Sequence, residues 1–178
     1  MKRILCIRLD DWPIARIRAE RPELKGKPIV LDEPHRGSRR VAACSAEAKA
    51  FGVTAGMPSA EAAALAGSAA LAVEAHDPSG DREALEALAV SCARFSPLVG
   101  LDDSANPDSL LLDVTGLAHL FGGERSLAER VAGDLARRGL TVRAALADTT
   151  GAAWAVSHFG EEGLQVQNCK LKIGDCWD

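Results

Sequence analysis

Three aspartates, Asp10, Asp102 and Asp108, are the residues of this sequence best suited to metal-assisted chemistry. Asp10, with Asp11 after it, follows the apolar run Arg3 to Ile7. Asp102, Asp103 and Asp108 line the polar stretch between two further runs, Leu98 to Leu101 and Ser109 to Val114, and Asp113 lies near the end of the last. Carboxylates gathered at the ends of neighbouring strands suit two magnesium ions about 4 Å apart, which activate a hydroxyl and stabilise a leaving pyrophosphate. Such a site needs ligands on one face and no fixed positive charge within it. Aspartates in a hairpin connection are equally ordinary turn formers.

A second candidate is basic. His35, Arg36, Arg39 and Arg40 surround Gly37 and Ser38 and read as a flexible loop. Arg36, Arg39 and Arg40, with Ser45 and Lys49 just downstream, are candidates for phosphate or nucleic-acid contact; the alternative is a solvated surface loop. A net charge of −4 excludes a uniformly basic nucleic-acid binder but leaves a localised contact open. Five cysteines without a Cys-x-x-Cys pair indicate neither a disulfide framework nor a zinc site. No stretch approaches 18 consecutive apolar residues, and Arg8 and Asp10 interrupt any signal-peptide core. The expectation is a cytoplasmic protein without membrane contact.

The elements that must hold these residues follow from periodicity and punctuation. Arg3 to Ile7 suits a buried strand, and Pro13 opens a helix that stops near Pro22. Ile29 to Leu31 and Val41 to Cys44 read as strands. Ser45 caps a short helix ended by Gly52, and an alanine-rich helix runs from Pro58 to Gly67. Leu85, Leu88, Cys92 and Phe95 recur at helical spacing. Two short strands, Leu98 to Leu101 and Ser109 to Val114, come next. A helix over Glu124 to Arg138 and a strand from Thr141 to Ala147 follow, and Gly151 to Phe159 is the last patterned element.

Setting aside residues 12–78, the order is strand, helix, strand, strand, helix, strand. That is the α+β, ferredoxin-like βαββαβ arrangement with a small subdomain inserted after its first strand. Its first and third strands lie together at the sheet centre, so the aspartates of the strand ends and the hairpin are expected to converge. Residues 160–178 differ in kind: the chain has 32 alanines before Phe159 and none from Gly160 onward. They read as a disordered or non-native tail.

Three segments carry a family resemblance: Leu24-Lys25-Gly26-Lys27-Pro28-Ile29-Val30, Ala46-Glu47-Ala48-Lys49-Ala50-Phe51-Gly52-Val53-Thr54-Ala55-Gly56-Met57-Pro58, and Leu111-Leu112-Asp113-Val114-Thr115. Over roughly residues 3 to 159 the chain resembles the N-terminal part of a Y-family, UmuC-type translesion DNA polymerase. The ImuB-type branch is suggested by Asp11-Trp12-Pro13, by His119-Leu120-Phe121-Gly122-Gly123 and by Ala147-Asp148-Thr149-Thr150-Gly151. The resemblance implies a palm over 1–19 and 78–159 and a fingers subdomain over 20–77. On the same resemblance, the thumb and little finger are expected to be absent from these residues.

It also implies which positions have been lost. Strand one of an active member ends in a metal-binding aspartate where this chain has Arg8. The fingers' triphosphate-binding Tyr and Arg fall at Ala46 and Lys49, the carboxylate pair before strand three becomes Asp108-Ser109, and the late palm lysine becomes Trp154. Two unit charges 4 Å apart interact by about 4 kcal/mol at an effective dielectric of 20, and a divalent ion doubles that. Exchanging Asp for Arg turns this attraction into repulsion.

The resemblance, with these lost positions, implies a non-catalytic polymerase-like adaptor in DNA damage-induced (SOS) translesion synthesis, without cofactor. Its expected partners are primer-template DNA, held weakly by this part alone, and a sliding clamp and separate error-prone polymerase, met through other regions. One alternative is an active nucleotidyltransferase using magnesium on Asp10, Asp102 and Asp108; another is a ferredoxin-like binding domain unrelated to DNA.

Overall fold

The structure, a computed structural model, describes residues 2–67, 70–160 and 164–166. In chain order the elements are β1 (Ile4–Leu9), α1 (Trp12–Glu20), β2 (Ile29–His35), β3 (Ser38–Cys44), α2 (Ala46–Lys49), α3 (Ser59–Ala66), β4 (Ala72–Ala75), α4 (Pro78–Cys92), β5 (Val99–Leu101), β6 (Ser109–Asp113), α5 (Glu124–Arg137), β7 (Val142–Ala147), α6 (Thr150–Phe159) and β8 (Leu164–Val166). They form two compact units, Met1–Leu9 with Leu85–Asp178, and Asp10–Ala84.

The first unit is a five-stranded sheet in the order β5-β6-β1-β7-β8. Its first four strands have the ferredoxin-like order, with β1 antiparallel to both β6 and β7. A central strand must be apolar on both faces, and Ile-Leu-Cys-Ile meets that demand. Leu5 and Ile7 are fully buried on one face, and each contributes about 1.5–3 kcal/mol by leaving water. On the other face Ile4 and Cys6 pack with Ala147 and Ala153 beneath α6. Leu127, Val131 and Leu135 form the buried stripe of α5 at helical spacing.

Arg3, buried at the start of β1, ties three segments together. Its Nε and Nη2 donate to the two carboxylate oxygens of Glu124 at 2.7 and 2.6 Å, and Nη1 donates to Asp148 at 2.7 Å.

The second unit is built on a separate sheet, β3-β2-β4. The period of two along β2 sends Val30 into a cluster with Val41, Cys44, Ala48, Val53 and Ala62. Ile29 and Leu31 join Ile14, Ile17 and Leu24 on the other side. Ser45 caps α2 as expected, its hydroxyl accepting the Ala48 N–H.

Several expectations are corrected. Helix α1 and the start of α4 fall in the second unit rather than with the palm, because Ile14 and Ile17 pack on Leu24, Ile29 and Leu31, and because Arg16 binds Asp81 at 2.6 Å. The basic segment is a β-hairpin, not a flexible loop: Arg36 and Gly37 have φ of 43° and 80°, the left-handed pair of a two-residue turn whose twist matches the flanking strands. Strand β4, four residues with alternating burial, was not expected at all. The tail expected to be unstructured supplies β8, whose backbone pairs parallel to β7 over Leu164–Val166; its other residues lie outside the described ones.

Candidate functional site

The end of the first sheet toward Arg8 is built in rows. Ser109 on β6, Arg8 on β1 and Arg143 on β7 are direct cross-strand partners; one row further in come Leu111, Cys6 and Ala145, and beyond them Asp113, Ile4 and Ala147. Asp113 therefore stands about 13 Å along the strand from the row of Arg8, at about 3.3 Å per residue. The expected convergence of all the aspartates fails because β6 runs antiparallel to β1. Asp113 instead accepts the Thr115 N–H at 3.0 Å, and the Thr115 hydrogen bonds hold its carboxyl below the usual range.

Asp108 is one of the candidate metal ligands, and both of its oxygens have protein partners. Arg8 Nε donates to one at 3.3 Å; the other accepts from Ser109 Oγ at 2.7 Å and faces His158 Nε2 at 3.1 Å. Arg8 Nη1 also reaches the His158 carbonyl at 3.5 Å. Asp102 is buried and organises the β5–β6 connection, accepting the backbone N–H of Ser104, Asp108 and Ser109 at 3.0, 3.2 and 3.1 Å. Asp10 directly follows Leu9, the last residue of β1. These residues do not fit a magnesium pair: one carboxylate is turned onto loop amides and the other is paired with a fixed cation. Among the described residues no group of three or more His, Cys, Asp or Glu is arranged to hold a metal ion.

His158 and Arg143 are the residues that sequence reasoning missed. His158 is set by α6, where its ring stacks on Trp154 at 4.0 Å between centroids. Trp154, at the lost lysine position, packs over the Ile4–Cys6–Ala147–Ala153 cluster. The signal for His158 was its four-residue offset from Trp154; for Arg143 it was a charge inside an otherwise apolar strand. Cys6 Sγ meets Ser157 Oγ at 3.2 Å, and burial pushes its thiol up to about 11, which suits a core residue rather than a nucleophile.

In the second unit the phosphate candidates separate. Arg36 is exposed at the hairpin turn. Arg39 donates to Asp32 at 2.5 Å, and that guanidinium holds the Asp32 carboxyl below its ordinary value. Arg40 Nη1 donates to the Gly56 carbonyl at 2.5 Å. Ser45 is buried and accepts the N–H of Ile29 and Ala48, so its hydroxyl is a structural cap. Lys49 holds both oxygens of Asp11 at 2.8 and 3.0 Å on the wall of a cleft of about 310 Å³, also lined by Cys44, Val53 and Thr54. Ala46, at the lost tyrosine position, is exposed at the start of α2. Trp12 is buried with its indole N–H on the Asp81 carbonyl at 2.9 Å.

Residues 7–158 match the family described as impB/mucB/samB. The chain belongs to the impB/mucB/samB family. A Protein ImuB of Caulobacter vibrioides is 52% identical over 87 residues, 49% of this chain and 18% of that protein. A DNA polymerase IV of Dehalococcoides mccartyi is 31% identical over 134 residues, 74% of this chain and 32% of the polymerase. The chain thus matches less than a third of the length of either relative.

Among solved structures, an insertion ternary complex of Dbh DNA polymerase aligns with a TM-score of 0.74 at 24% identity, over 93% of this chain and 48% of that one. DinB from Sulfolobus solfataricus aligns with a TM-score of 0.69 at 24% identity and the same coverage. The Y-family fold expected of the sequence is shown by these matches. No described helix is long and apolar enough to cross a membrane.

Proposed function

We propose that this chain is the non-catalytic, polymerase-like part of a translesion-synthesis adaptor, touching primer-template DNA without extending it. The observation that carries the reading is the Arg8–Asp108 pair: a guanidinium fixed on the central strand stands where two-metal chemistry needs a shared carboxylate. The Protein ImuB match and the departures at Ala46, Ser109 and Trp154 support the same reading. In the whole protein, contacts to a sliding clamp and to a separate error-prone polymerase are part of this proposal, and so are its place in the SOS response and its cytoplasmic location. No cofactor is required by it.

The test is primer extension with this chain, labelled primer-template, all four nucleotides and magnesium or manganese. The expected result is DNA binding without incorporation. Template-directed incorporation abolished by Asp108→Asn would instead establish a rearranged active site.

A further inference from the structure

At the C-terminal ends of α4 and α5 one carboxylate is shared by three guanidinia. Leu127, Val131 and Leu135 are the buried stripe of α5, so Asp134 lies at its border and Arg137 and Arg138 beyond it. Arg94, in the turn that closes α4, pairs with Asp134 Oδ2. Arg138 Nη2 lies 3.2 Å from the same oxygen, and Arg137 Nη2 donates to Oδ1 at 3.2 Å. Arg138 Nη1 also donates to Ser91 Oγ at 3.1 Å, and the Arg94 guanidinium stands 4.8 Å over the Phe95 ring. Burial works to raise the Asp134 carboxyl, but Arg94, Arg138 and Arg137 outweigh it and hold the group below its ordinary range.

One ionised carboxylate needs one counter-charge. With three, the formal charges of the cluster sum to two positive, in a chain whose net charge is −4. Each guanidinium has five N–H donors, and the acceptors reached here are the Asp134 oxygens and Ser91 Oγ. Most of the donors therefore face water: the Arg137 side chain is 74% exposed, Arg94 51% and Arg138 40%. Basic residues in a last helical turn complement the macrodipole, but that role requires no convergence from two helices on one acid.

An apolar side chain stands beside the cations. Val90, next to Ser91 in the chain and one turn before Arg94, is 76% exposed. Arginine and aromatic side chains around an apolar contact are the composition of protein-binding surfaces. One turn further back along α4 lies Glu86, which is also exposed. A nucleic-acid strand, charged at every step, would run from the arginines onto an apolar side chain and then a carboxylate. A protein segment with carboxylates next to one aliphatic side chain meets a complementary group at each place.

We propose that Arg94, Arg137, Arg138 and Val90 form a docking surface for an acidic segment of another protein that carries an aliphatic side chain. Its carboxylates take the guanidinium donors that Asp134 leaves over, and its aliphatic group covers Val90. None of these residues belongs to the DNA contacts considered above, so the surface stands or falls separately from that reading.

The experiment is an NMR titration read at the arginine Nε–H and valine methyl resonances. The probes are a short synthetic peptide of glutamates and leucines, the same peptide with glutamine for every glutamate, and a single-stranded DNA with the net charge of the acidic peptide. The proteins are the wild-type chain, Arg137→Gln, Arg137→Lys and Val90→Ser, all of which leave Asp134 paired with Arg94 and Arg138. Expected with the acidic peptide are shifts at Arg94, Arg137, Arg138 and Val90. Binding should be roughly 2–5-fold weaker in Arg137→Gln and in Val90→Ser, with part of the first loss recovered in Arg137→Lys. The glutamine peptide should shift none of the three arginines.

An acidic peptide that leaves these resonances unshifted at millimolar concentration would overturn the proposal. So would Val90→Ser binding as tightly as wild type, which would reduce the surface to a patch of charge. DNA that shifts the three arginines at lower concentration than the peptide would overturn it in favour of a nucleic-acid contact.

Discussion

Asp108 receives the Nε–H of Arg8 at 3.3 Å, so a carboxylate that the sequence offers as a metal ligand has its cation supplied by the neighbouring strand. The pair is tethered on both sides and cannot be exchanged for a soluble ion by changing the buffer.

Arg8→Asp is expected to destabilise the fold without creating activity. It sets two carboxylates against each other. Solvent screening at these partly exposed groups reduces the cost to about 1–2 kcal/mol. Thermal denaturation should show a lower midpoint than wild type, and primer extension should remain blank because Ala46 and Trp154 are unchanged. Incorporation by this single variant would show that Arg8 alone suppresses catalysis.

Arg3→Gln should be the more damaging change. It strands Glu124 and Asp148, which are 32% and 24% exposed, after removing a buried guanidinium that joins the start of β1 to α5 and to the loop before α6. Breaking a buried pair costs about 3–5 kcal/mol, and partial exposure of the acids brings this to about 2–3 kcal/mol. The melting midpoint should fall by roughly 4–12 °C for a chain of this size.

Acid should act through Asp32. Its carboxyl is held low chiefly by the Arg39 hydrogen bond, so the stabilisation is complete above the unfolded value of about 3.9 and is lost as pH falls through the lower, folded value. Denaturant titrations of wild type and Arg39→Ala should therefore differ by a constant amount from neutral pH down to about pH 4 and converge below it. A gap that persists undiminished in strong acid would mean that Arg39 acts by packing.

Arg36→Asn separates folding from DNA contact. Arg36 sits at φ 43°, a region that asparagine tolerates and that Asn-Gly turns favour, so the hairpin should gain about 0.5–1 kcal/mol. The same change removes an exposed charge and should weaken primer-template binding while lowering its salt slope by about 1. Stabilisation with unchanged binding would make the turn ordinary surface.

Where one residue type dominated a local decision, the sequence was readable. The apolar runs of β1 and β6, the Ser45 cap and the leucine stripe of α5 each announce their element, and their order is enough for the ferredoxin-like arrangement. Strand β4 was hidden because Ala-Val-Glu-Ala is short and weakly apolar; its pairing with β2 comes from tertiary contact. The hairpin was hidden because its outer half is charged and exposed. At the site, Arg8 was legible as an obstruction, but Asp113 was assigned to the wrong end because antiparallel register is not written locally. Asp102 looked like a metal ligand since nothing in the sequence shows which amides its oxygens reach. His158 and Arg143 met the site only through pairing across distant segments.

The central position of β1 also sets a timetable. As the chain is made, Ile4–Leu9 emerges before both of its neighbours, and the later of them, β7, lies about 130 residues further on, a delay on the order of 7–25 s at ordinary synthesis rates. Sheet pairing in the Asp10–Ala84 unit closes within that unit and need not wait. Until β6 follows, about 100 residues after β1, Ile-Leu-Cys-Ile has neither native neighbour, and its other edge stays open to a wrong partner until β7 arrives. Its flanks are Lys2 and Arg3 on one side and Arg8 on the other, the charged gatekeepers that discourage association. An aspartate at position 8 would guard the nascent strand as well, so the arginine's sign matters only once the sheet has formed.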